Sequence, residues 1–520
     1  MEQIRREAAE RVEALEQKHR AEVDALLRRL YGPRSERFDP RQLLLFGIRI
    51  DVMPLDTASV EGEAGQGLRT RRARSRHRHG RGKLPGHLPR VRIEHDLPEG
   101  EKKCPRCEGD RHRIGEETSE QMEFVPASLK VLEHVRYKYA CRNCEADGEG
   151  PQIDAAARPP QPVEKGLAGP GLLAYVAVSK LGDHLPLYRL EHILARHGAE
   201  VARSTMCAWM LATAVLLKPL YDLMADRVRR SRVVRTDEAR VPVQARGQCR
   251  SGRIWVYVGD ESNPYVVYDY TPDRTGAGPS TWLAGYKGYL QADAYVVYDG
   301  IYAGGDVVEV GCWAHARRKF FDARETDGRR AAEMLALVGE LYAVEDEARA
   351  KVAAMKDAGP GDPDAARLAL RQERSVPALA RIKAWLEAER ELVLPRSPIA
   401  AAIGYALNQW DALCVYATQG FLDIDNNVSE RALKRVAVGR KNWLFAGSDR
   451  FGEVAATLYT LIATAERHRL DPQRYLTGVL ARLPATPLSR VDQFLPDPWE
   501  TGAPVEAAVA PGTPADGAAV

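Results

Sequence analysis

Five short apolar runs between residues 231 and 312 limit the possible folds of this chain more than any other feature of its sequence. The runs are rich in valine, isoleucine and tyrosine, the side chains that strands favour. They are Arg232–Thr236, Arg253–Val258, Tyr265–Tyr268, Tyr289–Ala292 and Asp306–Val310. Patterns typical of helices lie on either side, at 165–230, at 313–420 with a break near Gly359–Pro363, and at 449–485. The combination predicts an α/β protein.

The length of 520 residues predicts several domains, about three or four at the usual domain size. Apolar residues make up 45% of the chain and charged residues 28%, as in globular proteins. Every apolar run is shorter than the roughly 20 residues of a membrane span. The N-terminus is charged from Glu2 onward and lacks the apolar core of a secretory signal. We therefore expect a cytoplasmic protein with no membrane partner.

The first helix has apolar residues at alternating steps of three and four, which is typical of a coiled coil. With His19 filling one gap, the apolar positions are Ile4, Ala8, Val12, Leu15, Val23, Leu26 and Leu30. Gly32-Pro33 ends this helix, and we assign residues 1–46 to an N-terminal coiled-coil domain. The pattern predicts a homodimer or a higher oligomer. A single amphipathic helix packed on its own domain is the alternative.

A basic segment lies in the linker that we assign to residues 47–87. Between Arg69 and Lys83 there are eight arginine or lysine residues, two histidines and no acidic residue. Such a block attracts a nucleic-acid backbone. The candidate DNA contacts are Arg71, Arg72, Arg74, Arg76 and Arg78. A solvated flexible linker is the alternative, and one segment can serve both roles.

Two Cys-x-x-Cys pairs predict a zinc site in a small module at 88–150. The pairs are Cys104 with Cys107 and Cys141 with Cys144, and 33 residues separate them. Four thiolates match the tetrahedral preference of Zn²⁺ and leave no open position, so the ion would be structural. A redox pair or unrelated buried thiols are the alternatives.

The remaining segments are assigned from weaker patterns. Residues 165–230 are predicted to be helical, and a helix-turn-helix that binds DNA is one interpretation of them. Plain helical packing is the other. Residues 449–500 are assigned to a C-terminal helical region. The tail at 501–520 is rich in alanine, proline and glycine, and is predicted to be disordered.

Three carboxylates stand out as candidate metal ligands. Asp237 and Asp293 each follow an apolar run that predicts a strand, and Glu430 opens a predicted helix surrounded by arginines and lysines. Together they could hold two divalent ions for an in-line displacement at phosphorus. Magnesium fits because carboxylate oxygens and substrate phosphates suit it.

Alternatives remain open for each of these carboxylates. Aspartates at strand ends are often turn residues, and Asn427 with Glu430 has the spacing of a helix-capping pair. Four other aspartates are rivals on local grounds. They are Asp260, Asp299, Asp423 and Asp425.

Several motifs in a fixed order resemble those of one family. They are Leu30–Arg37, the module from Leu88 to Cys144, Asp183–Arg189, Cys312–Phe320, Asn426–Ser448, and Phe494–Pro496 with Trp499. The chain resembles the transposases of the insertion sequence sixty-six family, of the DDE class, over residues from about 20 to 499. The Cys312–Phe320 and Asn426–Ser448 motifs are the most specific.

The resemblance implies a ribonuclease-H-like catalytic core at 231–448 with a helical insertion at about 321–420. The catalytic and metal-binding residues that it implies are Asp237, Asp293 and Glu430, with Mg²⁺ or Mn²⁺ as the cofactor. It further implies accessory proteins encoded by the same element, and a bacterial, nucleoid-associated location.

The basic residues around Glu430 are candidates for contacts with DNA. Arg431, Arg440 and Lys441 are expected to contact phosphates. His315, Arg317 and Arg318 are expected either to approach the site or to serve only helix packing and solvation.

These expectations together predict a DNA transposase. It would bind the terminal inverted repeats of its element, cut there, and join the freed 3′ hydroxyls to target DNA. One alternative is a catalytically inactive or repurposed protein that binds DNA. Another is a ribonuclease-H-like nuclease or resolvase that cuts without joining.

Overall fold

The computed structural model describes residues 129, 131, 138–140, 153–155, 160–164, 166–358 and 361–499. Four predictions therefore lie outside the described residues. They are the coiled coil at 1–46, the basic arginines of the linker at 47–87, the four cysteines proposed to bind zinc, and the tail at 501–520.

A five-stranded mixed sheet forms the centre of the described chain. Its strands, numbered after a short antiparallel pair β1 (Lys138–Ala140) and β2 (Ile153–Ala155), are β3 (Val233–Ala245), β4 (Gln248–Val258), β5 (Val266–Thr271), β6 (Gly288–Gln291) and β7 (Val307–Val310). The order across the sheet is β5-β4-β3-β6-β7. Strands β3, β4 and β5 are antiparallel neighbours, whereas β6 runs parallel to β3 and β7 parallel to β6. All five runs predicted to be strands lie within these elements or overlap them.

Helices account for most of the remaining described residues. They are α1 (Pro170–Leu181), α2 (Leu187–Arg196), α3 (Arg203–Arg229), α4 (Ala277–Trp282), α5 (Asp299–Tyr302), α6 (Trp313–Ala323), α7 (Gly328–Ala358), α8 (Pro363–Leu370), α9 (Val376–Arg390), α10 (Pro398–Asn408), α11 (Trp410–Cys414), α12 (Asn427–Trp443), α13 (Asp449–Arg467) and α14 (Pro472–Arg482). A π-helical turn at Arg371–Ser375 joins α8 to α9. The chain between β7 and α12 is thus mainly helical, and the break predicted near Gly359–Pro363 separates α7 from α8.

Two hydrophobic cores cover the sheet, and alternate residues of one strand supply them. Val234 belongs to the core formed with α1, α3, α13 and α14, whereas its neighbour Val233 belongs to the core formed with α6, α7, α9 and α10. Successive side chains of a strand point to opposite faces, which explains the division. Fully buried Trp255 and Trp313 anchor the first and second core respectively, and each buried side chain of this size stabilises the fold by about 2–3 kcal/mol.

The longest apolar helix, α3, belongs to the first core. By length and composition it could cross a membrane. Its side chains at Met206, Met210, Leu217 and Leu220 are almost fully buried against the sheet side of the protein. Core helices of globular proteins have the same length and composition, and α3 has that role in this fold.

Candidate active site

The register between β3 and β6 places Asp237 and Asp293 level with each other. The last paired residues of these parallel strands are Arg235 and Gln291. Asp237 and Asp293 each lie two residues further along, at the end of the sheet where the two strands diverge. The expectation that Asp237 ends its strand is wrong, because β3 continues to Ala245 in a long antiparallel pairing with β4.

Alternation along β3 determines the side of the sheet on which Asp237 lies. Asp237 points to the same face of β3 as Val233 and Arg235, which precede it by four and two residues. Val233 packs in the second core, and Arg235 pairs with Asp423 at 2.6 Å. Thr236 points the other way and bonds to the hydroxyl of Tyr298 at 3.2 Å. Asp237 therefore faces the helices between β7 and α12.

The start of α12 is fastened to this end of the sheet by three hydrogen bonds. The side-chain amide of Asn426 donates to the carbonyl of Thr236 (2.7 Å), and its backbone N–H donates to the Cys312 sulfur (3.2 Å). The side-chain amide of Gln291 donates to the carbonyl of Asp423 (2.8 Å). Glu430 occupies the first turn of α12, so these bonds bring it to Asp237 and Asp293.

His315 lies beside Glu430 in this group. Its Nε2 lies 3.6 Å from Oε1 of Glu430. One ligand atom each of His315, Glu430 and Cys312 lies within 4.8 Å of the others. Of the two interpretations of His315, the structure therefore favours an approach to Glu430. Arg318 is exposed. Its positive charge has a smaller effect on the pKa of Glu430 than burial, His315 and Asp425, and it acts to lower that pKa.

The carboxyl groups of the site resist ionisation. Burial, together with the negative charges of Asp293, Glu430 and Glu238, raises the pKa of Asp237 to about 7, against the hydrogen bond from the Glu238 N–H. Burial also raises the pKa of Asp293, which His315 and Arg274 oppose. Burial raises the pKa of Glu430 as well, with His315 opposing it.

The donor set of this cluster fits a hard divalent cation. Three half-buried carboxylates lie near the point where the pairing of β3 with β6 ends, close enough for Asp293 and Glu430 to act on the charge of Asp237. A cation among them would offset the burial and the repulsion that raise the pKa of Asp237. Cys312 is the soft member of this group, whereas hard divalent cations prefer carboxylate oxygens, and burial raises the pKa of its thiol to about 12. The oxygens of Asp237, Asp293 and Glu430, with the His315 imidazole beside them, are the groups that could hold a metal.

The rival aspartates have structural partners. Asp260 accepts from the backbone N–H groups of Arg232, Ser262 and Asn263, at 2.7, 3.0 and 2.9 Å. Asp423 pairs with Arg235. Asp299 is exposed at the start of α5. Asp260 thus stabilises a turn, Asp423 forms an ion pair, and Asp299 lies on the surface.

The fourth rival, Asp425, also explains the start of α12. Its carboxylate accepts hydrogen bonds from the backbone N–H and side-chain amide of Asn427, at 3.2 and 2.8 Å, and from the Tyr342 hydroxyl at 3.0 Å. Asn427 is the first residue of the helix and its side chain bonds to Asp425. The interpretation of Asn427 and Glu430 as a capping pair is therefore wrong. Glu430 is left facing His315.

The predicted phosphate contacts of this region lie along α12. Arg431 and Lys441 are exposed, whereas Arg440 donates a hydrogen bond to the carbonyl of Arg240. The linker arginines lie outside the described residues.

The spacing of Cys312 and His315 explains why His315 reaches Glu430. Cys312 immediately precedes α6, and His315 is the third residue of that helix. A Cys-x-x-His spacing at a helix start directs both side chains to the same region, next to the segment that binds the Cys312 sulfur.

Comparison with family models gives four matches in chain order. Residues 165–454, more than half of the chain, match the model described as "Transposase IS66 family". Residues 101–145, which include all four paired cysteines, match the zinc-finger binding domain of transposase IS66. Residues 19–93 match "Transposase C of IS166 homeodomain", and residues 460–496 match the IS66 C-terminal element.

Curated relatives come from Sinorhizobium fredii and are uncharacterized proteins. The chain is 32% identical to y4hP over 92% of this chain and 88% of that protein. It is 33% identical to y4jD, over 92% and 94%. It is 35% identical to y4qI, over 79% and 76%. Together with the family matches, these similarities show that the chain belongs to the IS66 family of transposases, including its zinc-finger module.

Proposed function

We propose that this protein is a DDE-type DNA transposase that cuts at the terminal inverted repeats of its element and joins the freed 3′ ends to target DNA. One observation carries the proposal. Asp237 in β3, Asp293 two residues after β6 and Glu430 in the first turn of α12 lie near one another where the pairing of β3 with β6 ends, close enough for their charges to interact. The family match supports the same class of activity.

The sheet supports the assignment of a ribonuclease-H-like core. Three antiparallel strands are followed by two parallel strands at one edge, in the order β5-β4-β3-β6-β7. The central strand β3 carries the first aspartate, and its parallel neighbour β6 leads to the second. The helices α6–α11 would then form an insertion between the sheet and α12.

The residues of the site have separate tasks in this proposal. Asp237, Asp293 and Glu430 would hold Mg²⁺ or Mn²⁺, which when bound supplies activation of the attacking hydroxyl and neutralisation of charge at phosphorus. His315 orients the Glu430 carboxylate. Arg431, Arg440 and Lys441 hold the phosphates of the duplex along α12.

The partners follow from the activity. The DNA ends and the target DNA are substrates, and pairing of two ends requires at least two copies of the chain. The zinc module, with Cys104, Cys107, Cys141 and Cys144 as ligands, and the basic linker would recognise the ends. The same element would encode accessory proteins, and the complex would act in the bacterial cytoplasm at the nucleoid.

Product analysis tests this function. Purified full-length protein is incubated with Mg²⁺, labelled duplexes carrying the ends of its element, and a supercoiled plasmid. We expect labelled 3′ ends joined to plasmid DNA, with a free target 3′ hydroxyl and a short single-stranded gap at each joint. Binding without any cut would identify a DNA-binding protein without catalysis, and cutting without joining would identify a nuclease or resolvase.

A further inference from the structure

The chain leaves α12 through a strained turn at Leu444. The residue has φ 66° and ψ −51°, and the N–H of Phe445 donates to the carbonyl of Trp443 at 2.8 Å. A hydrogen bond across one residue with these angles defines a γ-turn of the rare, strained type. Glycine adopts positive φ at little cost, whereas leucine does not. A leucine at this position therefore needs an explanation.

The surrounding structure holds this turn in place from both sides. Before it, the N–H of Leu444 donates to the carbonyl of Arg440, as the last bond of the helix. After it, Ala446 is buried and bonds twice to β3, to the carbonyl of Pro242 and from the N–H of Gln244, both at 2.8 Å. Strain maintained by its surroundings is typical of functional positions.

The turn presents two large apolar side chains to solvent. Leu444 is 63% exposed and Phe445 is 42% exposed. They stand next to each other, while Trp443 before them is partly buried on the first core. We call Leu444 and Phe445 the apolar wedge.

The surface around the apolar wedge is cationic. Residues 240–253 and 440–450, which the bonds of Ala446 join, contain seven arginines and lysines and one acidic residue. Arg250 pairs with that acid, Asp449, and Arg253 pairs with Glu238, which leaves five cations without an acidic partner in these two pairs. Arg246, at the tip of the β3–β4 hairpin, and Lys441 are exposed. An isolated apolar pair in such surroundings suits a polyanion that also offers apolar, stackable groups.

We infer that the apolar wedge inserts between base pairs of the bound duplex and unstacks them, while the cations around it hold the phosphates. The inference rests on the proposed function, because it takes DNA as the substrate. Leu444 lies 14 residues after Glu430 along α12, which is about 21 Å. A duplex lying along the helix would be distorted about six base pairs from the phosphodiester at Glu430, at roughly 3.4 Å per base pair.

Fluorescence of 2-aminopurine tests the unstacking. End duplexes carry the base at successive positions from the cleavage site, and full-length protein binds them in Ca²⁺ so that binding is followed without cutting. We expect a severalfold rise in fluorescence in a window about five to seven base pairs from the cleavage site. The variant Leu444→Gly/Phe445→Ala removes both side chains and relieves the strained φ, so that it keeps the fold.

The variant should lose at least about four-fifths of this rise while its affinity in a gel-shift assay stays within about twofold, because the cations remain. The control Leu392→Ala removes another exposed leucine, far along the chain in the loop after α9, and should leave the signal unchanged. A wild-type protein that binds and cuts the ends with no rise in the window would overturn the wedge and leave the transposase proposal intact. A variant that keeps the full rise in fluorescence would likewise overturn the wedge and leave the transposase proposal intact. A wild-type protein that does not bind the end duplexes overturns both.

Discussion

At the scale of one residue, the carboxyl group of Asp237 lowers the stability of the folded protein at neutral and higher pH. Its pKa is about 7 in the folded protein, against about 4 for an unperturbed aspartate. A raised pKa means that the folded state binds the proton more tightly than the unfolded state. The contribution of this group to stability is therefore complete below pH about 4 and is lost as the pH rises through 7.

Replacement of Asp237 by asparagine should stabilise the protein at pH 8. Asparagine is neutral and can still accept the hydrogen bond from the N–H of Glu238. We expect a gain on the order of 2 kcal/mol at pH 8 that disappears towards pH 4, measured by denaturant unfolding across this range. The exposed Asp299→Asn is the control. Equal or lower stability of Asp237→Asn at pH 8 would contradict the electrostatic account.

His315 should contribute to catalysis through Glu430. Without its imidazole, 3.6 Å from the carboxylate, Glu430 loses a partner that orients it. We expect His315→Ala to slow single-turnover cleavage of end DNA by roughly tenfold or more, and His315→Gln to recover part of the rate because its amide can donate. Lys319→Ala, exposed on the same helix, should cut at the wild-type rate. Cleavage by His315→Ala at the wild-type rate would show that His315 does not contribute to catalysis.

Leu444 is a second residue whose conformation lowers the stability of the fold. Glycine fits its φ of 66° without strain. We expect Leu444→Gly to raise the free energy of unfolding by about 0.5–1 kcal/mol, after the larger conformational entropy of glycine in the unfolded chain is subtracted. Thermal melts of Leu444→Gly and Leu444→Ala, which keeps the strain, measure this difference. A less stable glycine variant would show that the turn is unstrained.

At the scale of elements, the strands were predictable because their apolar runs are short and rich in β-branched and aromatic residues. The length of β3 was not predictable. Its second half contains Pro242 and polar residues, and it is held by the pairing with β4 and by the bridge to Ala446. The sequence therefore predicted Asp237 at the end of a strand, whereas in the structure it lies inside β3. The local pattern predicted Glu430 at the start of a helix, and the family resemblance implied its role. Its pairing with His315 depends on contacts between distant segments.

A buried arginine links the helices between β7 and α12 to the segment that leads into α12. Arg371, in the π-helical turn, is fully buried and makes two bonds of 2.7 Å to Glu345. It also donates to the carbonyls of Tyr416, Gln419 and Leu422, at 2.7–2.8 Å. These carbonyls belong to the segment that leads into α12 and Glu430.

Replacement of Arg371 should therefore affect both stability and cleavage. Arg371→Met leaves Glu345 buried without its partner, and we expect a loss of about 3–5 kcal/mol together with slower cleavage under conditions where the variant is folded. Arg374→Ala removes a surface pair with Glu347 from the same turn and should cost less than about 1 kcal/mol. Denaturant unfolding and cleavage rates of the two variants measure the contrast. Similar small losses of stability in both variants would show that the hydrogen bonds of Arg371 are dispensable.

At the scale of the whole molecule, the site depends on topology. Asp237 and Glu430 are far apart in sequence, and the helices α6–α11 lie between the sheet and α12. The same helices form one of the two cores on the sheet, so that the chain between the second aspartate and the glutamate also completes the fold. The helices at 170–229 share the other core with α13 and α14. Such long-range packing leaves no local signal in the sequence, which is why the two cores were not predictable.

The central claim is that the three carboxylates act together in metal-dependent DNA cleavage. Full-length protein with Mg²⁺ and labelled end duplexes is compared with Asp237→Ala, Asp293→Ala and Glu430→Ala, each matched for end binding by gel shift. The account predicts site-specific cuts by the wild-type protein, and a loss of at least about 10³-fold in the rate of each variant at unchanged binding. Cleavage by Asp237→Ala at the wild-type rate would contradict it.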